Sequence, residues 1–334
     1  EYIESDGPQN IEVTAWDPTD KGYQPVGKQT HDPRSIWYTA VTGIWQTVWL
    51  EYVPQSYIKD LKITPQLDKS RVKVEVSAKN VSYDHQIRLV AKDEGQTVGT
   101  STGFHDNRLF VKLDDPKLWS PENPFLYDLE VQLLDKNDNA VDQVESYFGM
   151  RKISLGKGED GYTRLFLNNE PLFQLGPLDQ GWWPDGLYTA PTDEALKYDV
   201  KVTKDLGFNM LRKHVKVEPQ RFYYWCDKMG ILVWQDMPSG DMRPGKIPYR
   251  SEASAEQFKK EYKNLIKDFY NHPSIVMWVP FNEGWGQFQT REIVEMTKEL
   301  DPTRLVDNAS GWHDRKVGDV IDMHSYPGPD MPET

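Results

Sequence analysis

The chain has 334 residues, 38% of them hydrophobic and 27% charged, with a net charge of −13 and a pI near 5.1. That length calls for more than one core, and no apolar stretch approaches the ~20 residues of a bilayer-spanning helix, so no membrane partner is expected. The acidic balance would repel phosphates, so no nucleic-acid partner is expected either, although it says little about neutral ligands such as sugars. The single cysteine, Cys226, excludes an intramolecular disulfide and a cysteine-cluster metal site. It follows the aromatic segment Phe222 to Trp225, which fits a buried, inert thiol. Glu1 to Pro8 is polar, so no signal peptide opens the chain; the compartment stays open between bacterial periplasmic or secreted and cytoplasmic.

In chain order, Ile11–Trp16 and Trp45–Glu51 have strand composition and are split by Pro- and Gly-containing turns. Residues 54–156 alternate more cleanly: Arg71–Ser77 and Tyr127–Leu133 are polar/apolar in strict turn, as in half-exposed antiparallel strands, and Asp135–Asn139 supplies a polar turn. A hundred residues of short strands fit an immunoglobulin-like sandwich. From residue 157 strands and helices alternate. Leu172–Gly176 is a first strand. Thr192 caps a helix whose Leu196, Val200 and Leu206 recur on one side, and Gly207 ends it. Phe208–His214 is the second strand. A helix from Pro219 to Gly230 leads to Ile231–Asp236, the third. Ser254 and Gln257 form a capping box for a helix carrying Phe258, Tyr262, Leu265 and Phe269. Ile275–Asn282 is a fourth strand, apolar on both faces. Arg304–Asp307 and Val320–His324 are the fifth and sixth. Six such units predict a (β/α)₈ barrel lacking its last quarter. An open doubly wound sheet is the alternative, but no glycine fingerprint follows the first strand.

Polar residues gather at the strand ends: Asp179-Gln180, Arg212 and His214, Gln235-Asp236, Asn282-Glu283, Asp307-Asn308, and His324 with Tyr326. Trp182, Trp183, Trp285 and Trp312 lie in the same loops. Carboxylates and amides give hydroxyls bidentate partners, and indoles pack on the apolar face of a sugar ring. Arg212 presents a fixed fork of donors able to hold a neighbouring carboxylate ionised. Glu283, at a strand tip and desolvated by a ring such as Trp285, could keep its proton near neutral pH and serve as a general acid; a helix-capping or Arg-paired carboxylate is the plainer alternative. A metal is the rival use of His214, Asp236 and His324, but their spacing matches no metal motif, so no metal and no cofactor is expected.

These residues resemble the family 2 glycoside hydrolases, the superfamily of β-galactosidases, β-glucuronidases and β-mannosidases, over nearly the whole chain. Gly43-Ile44-Trp45 with Val48-Trp49-Leu50 is similar to the end of the family's sugar-binding jelly roll. Trp119-Ser120-Pro121-Glu122-Asn123-Pro124 and Gly149-Met150-Arg151 are similar to markers of its immunoglobulin-like domain. His272-Pro273-Ser274-Ile275 leading to Asn282-Glu283 resembles its acid/base strand. The resemblance implies the C-terminal end of a jelly-roll β-sandwich over 1–53, an immunoglobulin-like β-sandwich over 54–156 and an incomplete TIM barrel over 157–334, cut at both ends. It implies Glu283 as acid/base, Asn282 as partner of the hydroxyl beside the reacting carbon, and Tyr326 near a nucleophilic Glu that would follow Thr334. Arg212, His214, Asp179, Asp236, Trp285 and His324 complete the substrate-binding set. Two departures stand out: Arg212 and His214 are two apart where better-known members have three, and Trp234-Gln235-Asp236 is closer to mannosidase-like members. The expected activity is retaining hydrolysis of terminal β-glycosidic bonds in oligo- or polysaccharides, with the sugar open among galactose, glucuronic acid and mannose. A non-catalytic carbohydrate binder is the alternative. Six strands cannot close a barrel, so residues 1–334 alone are expected to be inactive and to associate, and the full-length protein to be a candidate homo-oligomer.

Overall fold

The computed structural model describes residues 7–105, 108–238 and 250–328. Its first part holds only a two-residue parallel pair, β1 (Gln29–Thr30) with β2 (Tyr38–Thr39). Ile11–Trp16 and Trp45–Glu51, expected as strands, are not strands. Neither meets a neighbouring strand, and a lone extended segment leaves its backbone groups to water; Trp16 and Leu50 are both exposed.

An antiparallel sandwich follows. Strands β3 (Tyr57–Gln66), β4 (Arg71–Lys79), β5 (Gln86–Asp93), β6 (Gln96–Phe104), β7 (Leu109–Lys112), β8 (Tyr127–Leu134) and β9 (Ala140–Phe148) form two sheets, ordered β3-β4-β7 and β6-β5-β8-β9. The alternation read from sequence decides their faces. Val72, Val74, Ile87, Leu89, Val131 and Leu133 point into one shared core, while Arg71, Lys73 and Glu75 stay at the surface of β4. A small antiparallel sheet, β10 (Ile153–Lys157), β11 (Thr163–Leu167) and β12 (Glu170–Pro171), leads into the last part.

There β13 (Leu178–Asp179), β14 (Met210–Lys213), β15 (Leu232–Asp236), β16 (Ile275–Val279) and β17 (Leu305–Val306) are all parallel and lie in chain order. Sequential order without a switch point fits an incomplete barrel and not a doubly wound sheet. Helices α1 (Asp193–Asp205), α2 (Gln220–Met229), α3 (Glu252–Asp268) and α4 (Thr290–Leu300) connect the strands, and Leu196, Val200, Phe222, Phe258, Tyr262 and Ile293 bury their inner faces. Among the described residues no helix is long and apolar enough to cross a membrane.

Several boundaries differ from the sequence reading. The first barrel strand is Leu178–Asp179, not Leu172–Gly176: Leu172 N is taken by Leu165 O at 2.9 Å and Leu175 N by the Asn209 side chain at 2.8 Å, and Pro177 has no N–H to donate, so regular pairing with β14 starts only after it. Thr192 does cap α1, accepting from Ala195 N at 3.2 Å, but Leu206 lies beyond its last turn and is 68% exposed. Pro219 is the cap of α2, one residue before the helix. Helix α3 starts at Ser251, whose hydroxyl accepts from Ser254 N, so Ser254 is inside the helix and no capping box with Gln257 opens it. Val320–His324 is not a strand; only a bridge between Asp307 and Val320 marks a sixth position, leaving five parallel strands.

Sandwich and barrel are joined by buried polar groups around the turn before β16. The Trp119 indole is fully buried and donates to Asp227 O at 2.8 Å. Asp227 on α2 accepts from Ser274 N at 2.9 Å and meets His272 Nδ1 at 2.6 Å, and the Tyr147 hydroxyl from β9 reaches the same carboxylate at 2.7 Å. Arg151, just past β9, donates to the carbonyls of Pro273 (3.0 Å), Ile275 (2.9 Å) and Thr303 (3.3 Å). Only a rigid fork of donors can serve three carbonyls at once. Arg151→Met should therefore cost about 2–4 kcal/mol of stability by stranding buried acceptors, and Arg151→Lys should recover little of it. Urea unfolding midpoints measure this; a Met variant within ~0.5 kcal/mol of the parent would remove the joint from the account.

Candidate functional site

The C-terminal ends of the parallel strands bring most of the expected residues together. Asp236, at the end of β15, is fully buried and accepts two hydrogen bonds from Arg212, Nε at 3.0 Å and Nη2 at 2.8 Å, and one from Val215 N at 3.0 Å. Burial alone would raise its pKa, but Arg212 and His214 outweigh burial and hold it below the ordinary carboxylate value. Burial likewise works against the Arg212 charge, and Asp236 more than restores it. His214 Nδ1 lies 3.4 Å from Asp236 Oδ2; burial lowers its pKa, which favours the neutral imidazole.

Arg212 orients the next layer. Its Nη2 donates to Asn282 Oδ1 at 2.9 Å, which fixes the amide and leaves Nδ2 with no partner among the described residues. Its Nη1 lies 3.3 Å from His324 Nε2. A guanidinium only donates, so this contact favours an accepting Nε2 with the proton on Nδ1. That Nδ1–H faces Glu283 Oε1 at 2.8 Å, and Tyr326 Oη approaches the same oxygen at 3.5 Å although Tyr326 is 73% exposed. Gly311 makes room for this ring: a Cβ there would come within 2.5 Å of His324 Nδ1, and its φ is +92°.

Glu283 itself has φ +50°, a left-handed conformation that costs a non-glycine residue about 1 kcal/mol or more. It is held by its N–H to Ser310 O at 2.8 Å, and Trp285 N closes the turn onto Asn282 O at 2.8 Å. Val215, a β-branched residue beside Asp236, also has positive φ, +48°. Two strained residues around one polar cluster mark it as a place where geometry is imposed by its surroundings.

Two expected residues at the mouth have partners other than the Arg212 network. Asp179 pairs with the buried Lys213 Nζ at 2.7 Å, which also meets Glu218 at 3.0 Å; the pair of carboxylates keeps that ammonium charged despite burial. Trp285 is 3% exposed and stacks on Trp37 at 5.4 Å, while the hydrogen-bond partners of Glu283 Oε1 are His324 and Tyr326. Trp182 stacks on Tyr38 at 4.4 Å, and Trp312 lies beside the His324 and Tyr326 rings. The sequence reading did not single out Ser310, which meets His324 Nε2 at 3.0 Å, or Lys28, Trp37 and Tyr38, which the N-terminal segment lays over the barrel mouth. Nothing in their local sequence marks them, since only the approach of two distant segments makes them part of the site. A cavity of about 870 Å³ opens between that segment and the barrel, lined by Lys28, Gln180, Trp182 and His214; Glu283 lies outside its wall. No group of described side chains could hold a metal ion.

Asp307, just past β17, is completely buried, and among the described residues neither carboxyl oxygen has a side-chain hydrogen-bond partner. Burial and then Asp322 push it from 3.8 up to about 8. The folded protein thus keeps a proton that the unfolded chain gives up. The resulting stability is complete below about pH 4 and is lost as pH rises to about 8, by up to about 1.4 kcal/mol per pH unit. Asp307→Asn has no proton to lose, so its stability relative to the parent should climb through that window and level off above it. Urea midpoints at several pH values check this, and parallel profiles for the two proteins would refute it.

Comparison with known proteins identifies the family. The model of glycosyl hydrolases family 2 matches residues 56–151, and that of the family 2 TIM barrel domain matches 189–333. A putative β-glucuronidase of Formosa agariphila is 30% identical over 313 residues, covering 86% of this chain and 29% of its own length. The β-galactosidase of Lactococcus lactis is 27% identical over 277 residues, covering 81% and 27%. The chain thus spans under a third of the length of these relatives. Among solved structures, the FMN-binding β-glucuronidase from Facaelibacterium prausnitzii superposes with a TM-score of 0.64 at 25% identity, over 76% of this chain and 41% of that one. With both family models matched in order and the strand-end cluster in place, the chain belongs to glycosyl hydrolases family 2.

Proposed function

We propose that these residues form the greater part of the active site of a retaining exo-β-glycosidase, with Glu283 as its acid/base. The observation that carries this is the Glu283 carboxyl, held in a left-handed turn at the tip of the β16 segment with both its contacts, His324 Nδ1 and Tyr326 Oη, on one oxygen. Oε2 is then the atom to carry a proton to the glycosidic oxygen and later to take one from water. Asn282, its amide oxygen held by Arg212 and its buried Nδ2 without a partner among the described residues, suits a sugar hydroxyl beside the reacting carbon. Double displacement also needs a nucleophilic carboxylate, which a Glu following Thr334 would supply. Asp307 and Asp322 are poor substitutes: the first is buried without access and the second accepts from the Ser310 hydroxyl.

The domain plan belongs to the same reading. Residues 1–53 would be the end of a jelly-roll domain, 54–156 an immunoglobulin-like sandwich and 157–334 the barrel. The three-plus-four strand arrangement supports the second. That relatives are called β-glucuronidase and β-galactosidase keeps both sugars in view.

In the whole protein, Glu283→Gln keeps shape and hydrogen bonding but has no proton to transfer. Hydrolysis of glycosides with poor leaving groups should fall about 10²-fold or more, while activated aryl glycosides lose much less. Azide should restore turnover and give a β-glycosyl azide. Equal loss on both substrate types without azide rescue would remove Glu283 from this role, and an unchanged rate per folded molecule would leave it a structural carboxylate.

A further inference from the structure

Among the described residues, the buried cations at the strand ends other than Lys28 are each matched to a carboxylate. Arg212 is spent on Asp236, Lys213 on Asp179 and Glu218, and Lys216 on Glu218 at 2.9 Å. Lys28 differs. It is 8% exposed, yet its Nζ has one hydrogen-bond partner, the neutral amide oxygen of Gln180 at 2.8 Å, and it sits 5.9 Å from the Trp285 ring centre. Among the described residues no carboxylate comes within ion-pair distance of it. A buried ammonium normally acquires a counter-charge, since burial without one costs several kcal/mol. Burial works against its charge, and Glu283 and then Asp236 act to restore it without either forming an ion pair with it.

Its position is built in. Gly27 has φ +61°, and a Cβ there would come within 2.9 Å of Val215 O, so the N-terminal segment presses directly on the strained end of β14. Tyr38 N donates to Lys28 O at 2.8 Å, tying the residue into the β1–β2 pair, while Trp37 and Tyr38 stack on the barrel indoles Trp285 and Trp182. Beside the ammonium lies the cavity it shares with Gln180 and His214.

We infer that Lys28 is a specificity-determining residue: its ammonium pairs with an anionic substituent, a carboxylate or a sulfate ester, on the sugar bound at Glu283. The inference rests on the glycosidase reading and adds to it the substrate class, an acidic sugar. An ammonium with two unused N–H donors offers the missing counter-charge to such a group and gains nothing comparable from a neutral hydroxymethyl. A rival role, packing the N-terminal segment onto Trp285, predicts no dependence on ligand charge.

The test is calorimetric titration of the full chain with D-glucuronate, D-glucose 6-sulfate and D-glucose, the first two separating the sources of the anion. At least one anionic sugar should bind about tenfold or more tightly than glucose. Lys28→Met should abolish that preference with glucose affinity unchanged, and Lys28→Arg, which keeps the charge and guards against a folding defect, should retain most of it. Equal binding of anionic and neutral sugars, or a Met variant that weakens all three alike or none, overturns the inference and leaves the glycosidase reading standing. Failure of every sugar to bind overturns both.

Discussion

The base of β16 is fixed by two buried arginines, and the rest of the barrel depends on it. Arg304 donates to the carbonyls of Tyr270 (2.7 Å), His272 (2.6 Å) and Ile275 (2.7 Å) and pairs with Asp301 at 2.7 Å; Arg151 takes Pro273 and Ile275 from the other side. A turn buried between two domains would otherwise leave these backbone acceptors without partners. With them satisfied, the start of β16 has one position, and a fully buried strand of five residues carries that position to Asn282 and Glu283 at the other end. Motifs such as Gly149-Met150-Arg151 and His272-Pro273-Ser274 therefore lie at the opposite end of β16 from Asn282 and Glu283 and still decide where those two residues stand.

At the opposite end the same logic runs through charge. Asp236 holds Arg212, Arg212 orients Asn282 and favours one tautomer of His324, and His324 meets Glu283. Each buried charge has a partner of opposite sign or a hydrogen bond to the next member, which is the condition for such a network to be tolerated in a low-dielectric interior. Asp307 meets neither condition and stays neutral. Strain at Glu283 and Val215 is absorbed by this framework, so the Glu283 carboxyl is aimed by its neighbours more than by its own backbone preference.

The N-terminal segment illustrates how a site can be completed from outside its domain. It has almost no regular structure of its own, yet Trp37, Tyr38 and Lys28 meet barrel side chains through stacking and one hydrogen bond. Aromatic stacking supplies adhesion where a strand ladder is missing.

Periodicity alone determined much of the chain. The alternation of β4 and β8, the Thr192 cap, the Gly230 terminus and the apolar run of β16 all reflect local rules: which face is buried, which group caps, which residue tolerates positive φ. The strand-end grouping of Arg212, Asp236 and Asn282 was legible for the same reason, since parallel strands bring their C-terminal ends to one side; His324 joins them from a segment that is not a strand. Tertiary structure decided what local rules do not reach. Ile11–Trp16 has strand composition without a strand partner; Leu172–Gly176 yields to Pro177; Asp179 faces Lys213 and Trp285 turns to Trp37. Lys28 and Glu283 are 255 positions apart by number, 283 minus 28, and no pattern in either neighbourhood encodes their approach. Pairing between distant segments depends on how whole layers pack, and a single sequence carries that information only through the fold.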